Sequence, residues 1–304
     1  MKKYTVTIGI PAHNEEANIA YLLESVLCQK GDFTIEKILV FADGCTDATE
    51  EKVKAISARH PVVHLIADGE RKGKASRLNQ LHRENRSDIV INFDADIILE
   101  EANVIQKMLK YFNNKDVVAV SANNQPFTGE TFIEKVTNAS DNMWYEIRKD
   151  FEGGDNIYNC SGCAIAIKRE FSSKLVLNEK TIADQQTVYI SLWRIGKKMV
   201  YARNAIVRYR TPATLRDFFN QAGRSLVEKY YLPEYEDKSV RNLYHLPLQN
   251  KVLGVMRSLI ANPFYTICAI ILQILLRFQL VRRYALKQEA KWSMVKSTKA
   301  VIRS

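Results

Sequence analysis

Cysteine is sparse, five in 304 residues, and the start of the chain carries no secretory signal. Its two lysines precede only a short alternating run that Pro11 closes, too short for the apolar region of a signal peptide. A disulfide framework is therefore not expected, and a reducing compartment is. Internal repeats and low-complexity linkers are missing too, so residues 1–225 read as one continuous unit. A clean membrane-spanning run is also lacking. The longest uncharged stretch, 19 residues between Arg257 and Arg277, is interrupted by Asn262-Pro263 and carries the polar Gln273. Acid is scarce at one end only. Residues 251–304 hold ten Lys or Arg against the single acid Glu289, so +9 of the chain's +10 sits in this tail. Such a segment suits an anionic lipid surface. Nucleic acid is not expected, because few base-stacking aromatics accompany its cations.

What is present is the composition of a folded protein, 46% hydrophobic and 26% charged. Strand-like runs alternate with amphipathic helices: strands at 4–10, 35–41, 62–66 and 89–93, and helices at 19–27, 47–59 and 74–83. That alternation predicts a parallel sheet with right-handed crossovers. Further on, helices are expected at 100–112, 132–149 and 185–195. Strands are expected at 117–121 and 163–167, with a strand or hairpin at 199–209.

Each early strand ends in polar residues, as a ligand crevice at the carboxyl edge of an open sheet requires. Ile89–Phe93 stops on Asp94-Ala95-Asp96. Two carboxylates beside a phosphate-bearing ligand repel it unless a hard divalent cation intervenes, so Asp94 and Asp96 read as a Mg²⁺ or Mn²⁺ site or, more plainly, as a polar turn. The first strand leads into Pro11-Ala12-His13-Asn14-Glu15-Glu16, where Asn14 is placed to cap the next helix. The second leads into Asp43-Gly44-Cys45-Thr46-Asp47, with Asp43 facing the crevice. The third is followed by Arg71-Lys72-Gly73-Lys74, which suits a phosphate or is simply a solvated loop.

These four motifs, in this order and spacing, resemble family 2 glycosyltransferases. The resemblance implies an α/β, GT-A type Rossmann-like fold with a mixed, mostly parallel sheet. It also implies an enzyme that uses a nucleotide sugar, a UDP-sugar by default or a GDP-sugar. Pro11, Ala12, Asn14, Glu15, Asp43, Arg71, Lys74, Asp94 and Ala95 would then bind the donor. Asp43 would contact the base, and Asp94 and Asp96 would hold the metal on the diphosphate. The turn Asn159-Cys160-Ser161-Gly162-Cys163-Ala164 resembles the one that borders donor and acceptor, which brings in Gly162. Its Cys-x-x-Cys lacks the partners of a zinc site and is expected to be structural. Ala183-Asp184 stands where the family has Glu-Asp, which makes Asp184 the expected general base. A helix cap is the plain alternative. Gln221-Ala222-Gly223-Arg224-Ser225 resembles the Gln-x-x-Arg-Trp of processive synthases without its Trp, leaving Gln221 and Arg224 for the diphosphate or acceptor.

The expected division is 1–120 for the nucleotide-sugar half, 121–225 for the acceptor half and 226–304 for a helical, membrane-associated tail. The expected reaction is inverting transfer to a hydroxyl of a glycan or glycolipid at the cytoplasmic membrane face, peripheral or re-entrant. A polyprenyl-phosphate acceptor and a non-catalytic, lipid-bound module are the alternatives. A nucleotidyltransferase fits less well, since Pro11–Glu16 contains no glycine.

Overall fold

The computed structural model describes residues 3–179, 184–223 and 238–283. The chain forms two compact units. The first takes in residues 3–125, 160–179 and 184–209, the second 126–159 together with 210–223 and 238–283. This differs from the expected division at 120 and 225. Segment 126–159 packs with the C-terminal helices, and the chain returns to the first unit at Cys160.

The first unit is built on an eight-stranded sheet in the order β3-β2-β1-β4-β7-β6-β8-β5. Its strands are β1 (Tyr4–Ala12), β2 (Phe33–Ala42), β3 (Val63–Ala67), β4 (Ile89–Phe93), β5 (Ile97–Leu99), β6 (Val117–Pro126), β7 (Ala164–Lys168) and β8 (Lys198–Tyr209). β3, β2, β1 and β4 run parallel, while β7 pairs antiparallel with both β4 and β6. The expected mixed sheet is thus parallel across its β3-β2-β1-β4 half. β1 continues beyond Ile10 through Pro11 to Ala12, since proline's fixed φ is tolerated near a strand end. Residues 198–209 form one strand, not a hairpin.

The parallel half needs crossovers, which α1 (Ile19–Leu27), α2 (Thr49–Ser57) and α3 (Lys74–Glu84) supply. On α1 the stripe Ile19, Leu22, Leu23 and Val26 is fully buried, one face of a 3.6-residue period laid on the sheet. Beneath it Ile8, Ile10, Ile38, Val40, Ile89 and Ile91 form a continuous apolar core. β1 carries Gly9 where α3 passes. A Cβ built there would lie 2.1 Å from Leu81 Cδ2, so glycine lets the helix approach the strand. The unit is completed by α4 (Val104–Leu109), α6 (Arg169–Ser172) and α7 (Asp184–Arg194).

The second unit is helical. α5 (Phe132–Arg148) opens on a capping box, with Thr131 Oγ1 accepting from the Glu134 backbone N–H and the Glu134 carboxylate accepting from the Thr131 N–H. A helix at 215–223 (α8) is followed by α9 (Leu248–Ala261) and α10 (Pro263–Arg283). Pro263 starts α10 where the missing N–H costs nothing, and so breaks the 19-residue uncharged stretch into two helices. Ala269 packs on Val136 and Ala139 of α5, and Gly254 of α9 sits against Ile147. Among the described residues no helix is long and apolar enough to cross a membrane.

Candidate active site

In the parallel half the strand order reverses between β1 and β4, the switch point at which open α/β sheets hold ligands beyond their carboxyl ends. The loops after β1 and β2 are tied together there. Asn14, with φ +54°, accepts from the Thr46 backbone N–H at 2.8 Å through Oδ1. It therefore does not cap α1, whose N-cap position is Asn18. The expectation failed because Asn14's partner lies 32 residues away across the crevice, not in the next turn. Glu15 is buried and accepts from Asn18 Nδ2 at 3.1 Å. Pro11 and Ala12 end β1, and the Ala12 carbonyl accepts from the Asp43 N–H at 2.8 Å.

Asp43 is buried, and its carboxylate is in use. It accepts from the Lys72 N–H at 2.8 Å, the Gly73 N–H at 3.0 Å and Arg77 Nε at 2.9 Å. In this structure it orders the Arg71–Gly73 loop and fixes the start of α3. Arg77 is fully buried and also grips Asp68 through both terminal nitrogens, at 2.8 and 2.7 Å. Hydrogen bonds from Arg77 and then Lys72 hold the Asp68 carboxyl well below the usual carboxylate range. Arg77 was missed in the sequence. The signal was its place one turn after Lys74, within the stripe Lys74, Arg77, Leu78, Leu81 that faces the sheet.

The carboxyl end of β4 is anchored by the Asp94 N–H, which donates to the Cys163 carbonyl at 3.0 Å. Ala95 is buried, and Asp96 is half-buried in the turn to β5. Lys74, the first residue of α3, bridges two carboxylates. Its Nζ lies 2.7 Å from Asp94 Oδ1 and 3.1 Å from Asp184 Oδ2. Burial works against its charge, but Asp184 and Asp94 outweigh it and hold the ammonium above the ordinary lysine value. Burial raises the Asp94 carboxyl and Asp184 adds to the rise, while Lys74 opposes both. Gly162 lies against the same group. A Cβ there would sit 2.8 Å from Gln185 Oε1 and 3.1 Å from Lys74 Nζ, so a side chain would compete with the bridge. Around it the Ser161 N–H donates to Ser121 Oγ at 3.1 Å, and Asn124 Nδ2 donates to Ser161 Oγ.

Lys74, Asp94, Gly162 and Asp184 thus converge from α3, β4, the turn before β7 and α7. Among the described residues no group of three or more His, Cys, Asp or Glu side chains is placed to hold a metal alone. The donor chemistry fits a shared ion instead, since Mg²⁺ or Mn²⁺ takes one or two carboxylates and completes its shell with substrate phosphate and water. Cys163 is no thiolate ligand: burial, then Asp94 and Asp96, push its thiol up. Cys160 is buried and donates to the Gln185 carbonyl at 3.1 Å. In the second unit Gln221 has its Oε1 buried without a partner. Arg224 and Ala183 lie outside the described residues.

Known proteins of similar sequence or fold are glycosyltransferases. Over 228 residues the chain is 24% identical to a probable glycosyltransferase, YdaM, of Bacillus subtilis, covering 72% of this chain and 54% of that protein. The chain thus spans about half the length of that relative. Over 127 residues it is 26% identical to a dolichyl-phosphate beta-glucosyltransferase of Trichomonas vaginalis, covering 38% of this chain and 37% of the other. Among solved structures it superposes on the mannosyltransferase PcManGT of Pyrobaculum calidifontis, in complex with GDP-Man and Mn²⁺, with a TM-score of 0.61 at 20% identity. That match covers 89% of this chain and 74% of the other. Glucosyl-3-phosphoglycerate synthase of Mycobacterium tuberculosis, with Mn²⁺, UDP and phosphoglyceric acid, gives a TM-score of 0.52 at 20% identity, covering 72% and 75%. The fold is GT-A. The family model for glycosyl transferase family 2 matches residues 7–176, more than half of the sequence. The chain belongs to glycosyl transferase family 2.

Proposed function

We propose that this chain transfers a sugar from a nucleotide sugar to a hydroxyl of a glycan or glycolipid, with inversion at the anomeric carbon and at the cytoplasmic face of the cell membrane. The donor is a UDP-sugar, with a GDP-sugar as the alternative. The observation that carries this reading is the Lys74 ammonium set between Asp94 and Asp184 at the switch point. One carboxylate there serves the leaving group and the other the nucleophile.

Asp94 and Asp96 would hold Mg²⁺ or Mn²⁺ against the diphosphate, and the ion, when bound, neutralises charge on that leaving group. The remaining work falls to side chains. Lys74 donates to diphosphate oxygens. Asp43 and Arg77 keep the loop before α3 in the conformation that aims Lys74 at the crevice. Gly162 leaves room for the sugar ring. Asp184 accepts the acceptor hydroxyl's proton as its oxygen attacks the anomeric carbon, and the bond to the diphosphate oxygen breaks on the opposite face.

The match to a dolichyl-phosphate beta-glucosyltransferase favours a second reading, in which the acceptor is a polyprenyl phosphate. Such an acceptor is already anionic and needs no base. Transfer assays with Mn²⁺ and UDP- or GDP-sugars separate the cases. Asp94→Ala should abolish transfer and sugar-nucleotide hydrolysis alike. Asp184→Asn should lower transfer to a hydroxyl by about 10²- to 10⁴-fold, the usual worth of a general base, while donor binding persists. Unchanged transfer to a phosphate acceptor in Asp184→Asn selects the second reading. No turnover in the native protein would leave only a donor-binding module.

A further inference from the structure

The Lys74 ammonium sits on Asp94, one of the two carboxylates that the reading above gives to the divalent cation. Lys74 Nζ is 2.7 Å from Asp94 Oδ1 and 3.1 Å from Asp184 Oδ2, and all three side chains are largely withdrawn from solvent. The contact is not a loose surface pair. Asp43 fixes the backbone just before Lys74 through the Lys72 and Gly73 N–H groups, at 2.8 and 3.0 Å. Gly162 keeps the far side clear, since a Cβ there would come to 3.1 Å from the same nitrogen. Asp94 is held from behind by its own N–H on the Cys163 carbonyl. The ammonium therefore has a built seat between two carboxylates.

We propose that Lys74 is an internal counter-ion that excludes the divalent metal until the nucleotide arrives, so that metal and nucleoside diphosphate enter as a coupled pair. The inference rests on the metal-dependent reading above. With no nucleotide, an incoming cation must displace the ammonium from Asp94 and also leave the Lys74 and Asp184 charges to rearrange. A nucleoside diphosphate changes the balance, because its oxygens give the ammonium new acceptors and release Asp94. Linkage then requires the reciprocal effect, with the metal raising nucleotide affinity by the same factor. Asp184, the proposed base, stays paired with Lys74 until the same event. An enzyme without its donor would thus hold its base neutralised.

Mn²⁺ binding measured by electron paramagnetic resonance tests this without turnover. Native protein should bind Mn²⁺ weakly alone and about tenfold or more tightly with UDP or GDP, within the usual range of coupling between sites. Lys74→Gln should bind Mn²⁺ alone about tenfold more tightly than native, and nucleotide should add less. Its melting temperature should fall without metal, because Asp94 and Asp184 face each other unscreened, and recover with Mn²⁺. Lys74→Arg, which keeps the charge, should bind Mn²⁺ alone as weakly as native, and Lys74→Met, which removes the charge, serves if Lys74→Gln does not fold. Native protein that binds Mn²⁺ equally with and without nucleotide overturns the coupling, as does a Lys74→Gln that binds no more tightly. If neither protein takes up Mn²⁺ even with nucleotide, the metal-dependent reading itself has failed, a result distinct from the other two.

Discussion

At the scale of single residues, the site pairs its charges, Lys74 with Asp94 and Asp184 and Arg77 with Asp43 and Asp68, while one buried imidazole of α3 behaves differently. His82 lies on the sheet-facing side of α3, contacts Asn92 Nδ2 through Nε2 at 3.4 Å, and has its Nδ1 buried without a partner. Burial pushes its pKa down from 6.5 to about 4, so the folded protein keeps the ring neutral. The unfolded chain takes up a proton near pH 6.5, whereas the folded one waits until about pH 4. Above pH 6.5 this group therefore costs nothing, and between 6.5 and 4 stability falls as the pH drops, by up to about 3 kcal/mol. Denaturant melts of the native chain from pH 7 to 4 should show this slope, and His82→Gln should flatten it. An unaltered slope in the variant would assign the acid sensitivity to other groups. Arg77 shows the complementary case, a permanent charge tolerated at zero exposure because Asp43, Asp68 and two backbone carbonyls surround it.

At the scale of elements, α3 carries most of the chemistry: its first turn brings Lys74 and Arg77, and its position depends on one glycine in β1. Replacing Gly9 with alanine places a methyl 2.1 Å from Leu81 Cδ2 and 2.9 Å from Leu81 Cγ, in a core where Leu81 is fully buried and has little room to turn. Overpacking of that kind costs about 1–3 kcal/mol. Gly9→Ala should therefore lower the melting temperature and also weaken nucleotide binding, since α3 must lift from the sheet and carry Lys74 with it. Adding Leu81→Ala should recover part of the loss, a coupling expected of residues in contact. Additive effects in the double variant would refute the close-approach account. The ends of β2 and β4 were readable beforehand because their apolar runs stop abruptly at Asp43 and Asp94, whereas Pro11 read as the close of a strand that in fact runs on to Ala12. The helix stripes were readable because Ile19, Leu22, Leu23 and Val26 keep a strict period. Arg77 escaped because a cation in an apolar stripe reads as surface until its two acids are seen beside it. The regrouping of 126–159 with the C-terminal helices escaped for a related reason. It rests on α5 packing against residues more than a hundred positions away, which no local pattern reveals.

At the scale of the whole molecule, the two C-terminal helices carry cations and a large share of the exposed apolar side chains. Of the net +10, residues 251–304 carry +9. On α9 the exposed side includes Leu248, Val252, Met256 and Ile260, and on α10 it includes Phe264, Ile267, Ile271 and Phe278, while Gly254, Ser258, Thr266 and Ala269 are buried within the second unit. Lys251 and Arg277 accompany these apolar faces, Arg257 is paired with Asp150 at 3.4 Å, and residues 238–283 contain no acid. A face of this size, left exposed among the described residues, marks a site of interaction. Because residues 238–283 supply cations and no acid, we propose an anionic bilayer as the partner, with the two helices lying in its interface. Each lysine or arginine near such a surface adds about 1 kcal/mol, and the buried apolar side chains supply an attraction that salt does not screen. The two contributions separate in a flotation assay. Native protein should float with vesicles containing phosphatidylglycerol, less so as salt rises, and poorly with neutral vesicles. Ile260→Glu with Phe264→Glu should abolish flotation at every salt concentration while sugar-nucleotide hydrolysis persists, since neither residue belongs to the first unit, where Asp94 and Asp184 sit. Unchanged flotation in that double variant would remove α9 and α10 from the membrane, and self-association of the native chain that the variant loses would assign the face to a second copy instead.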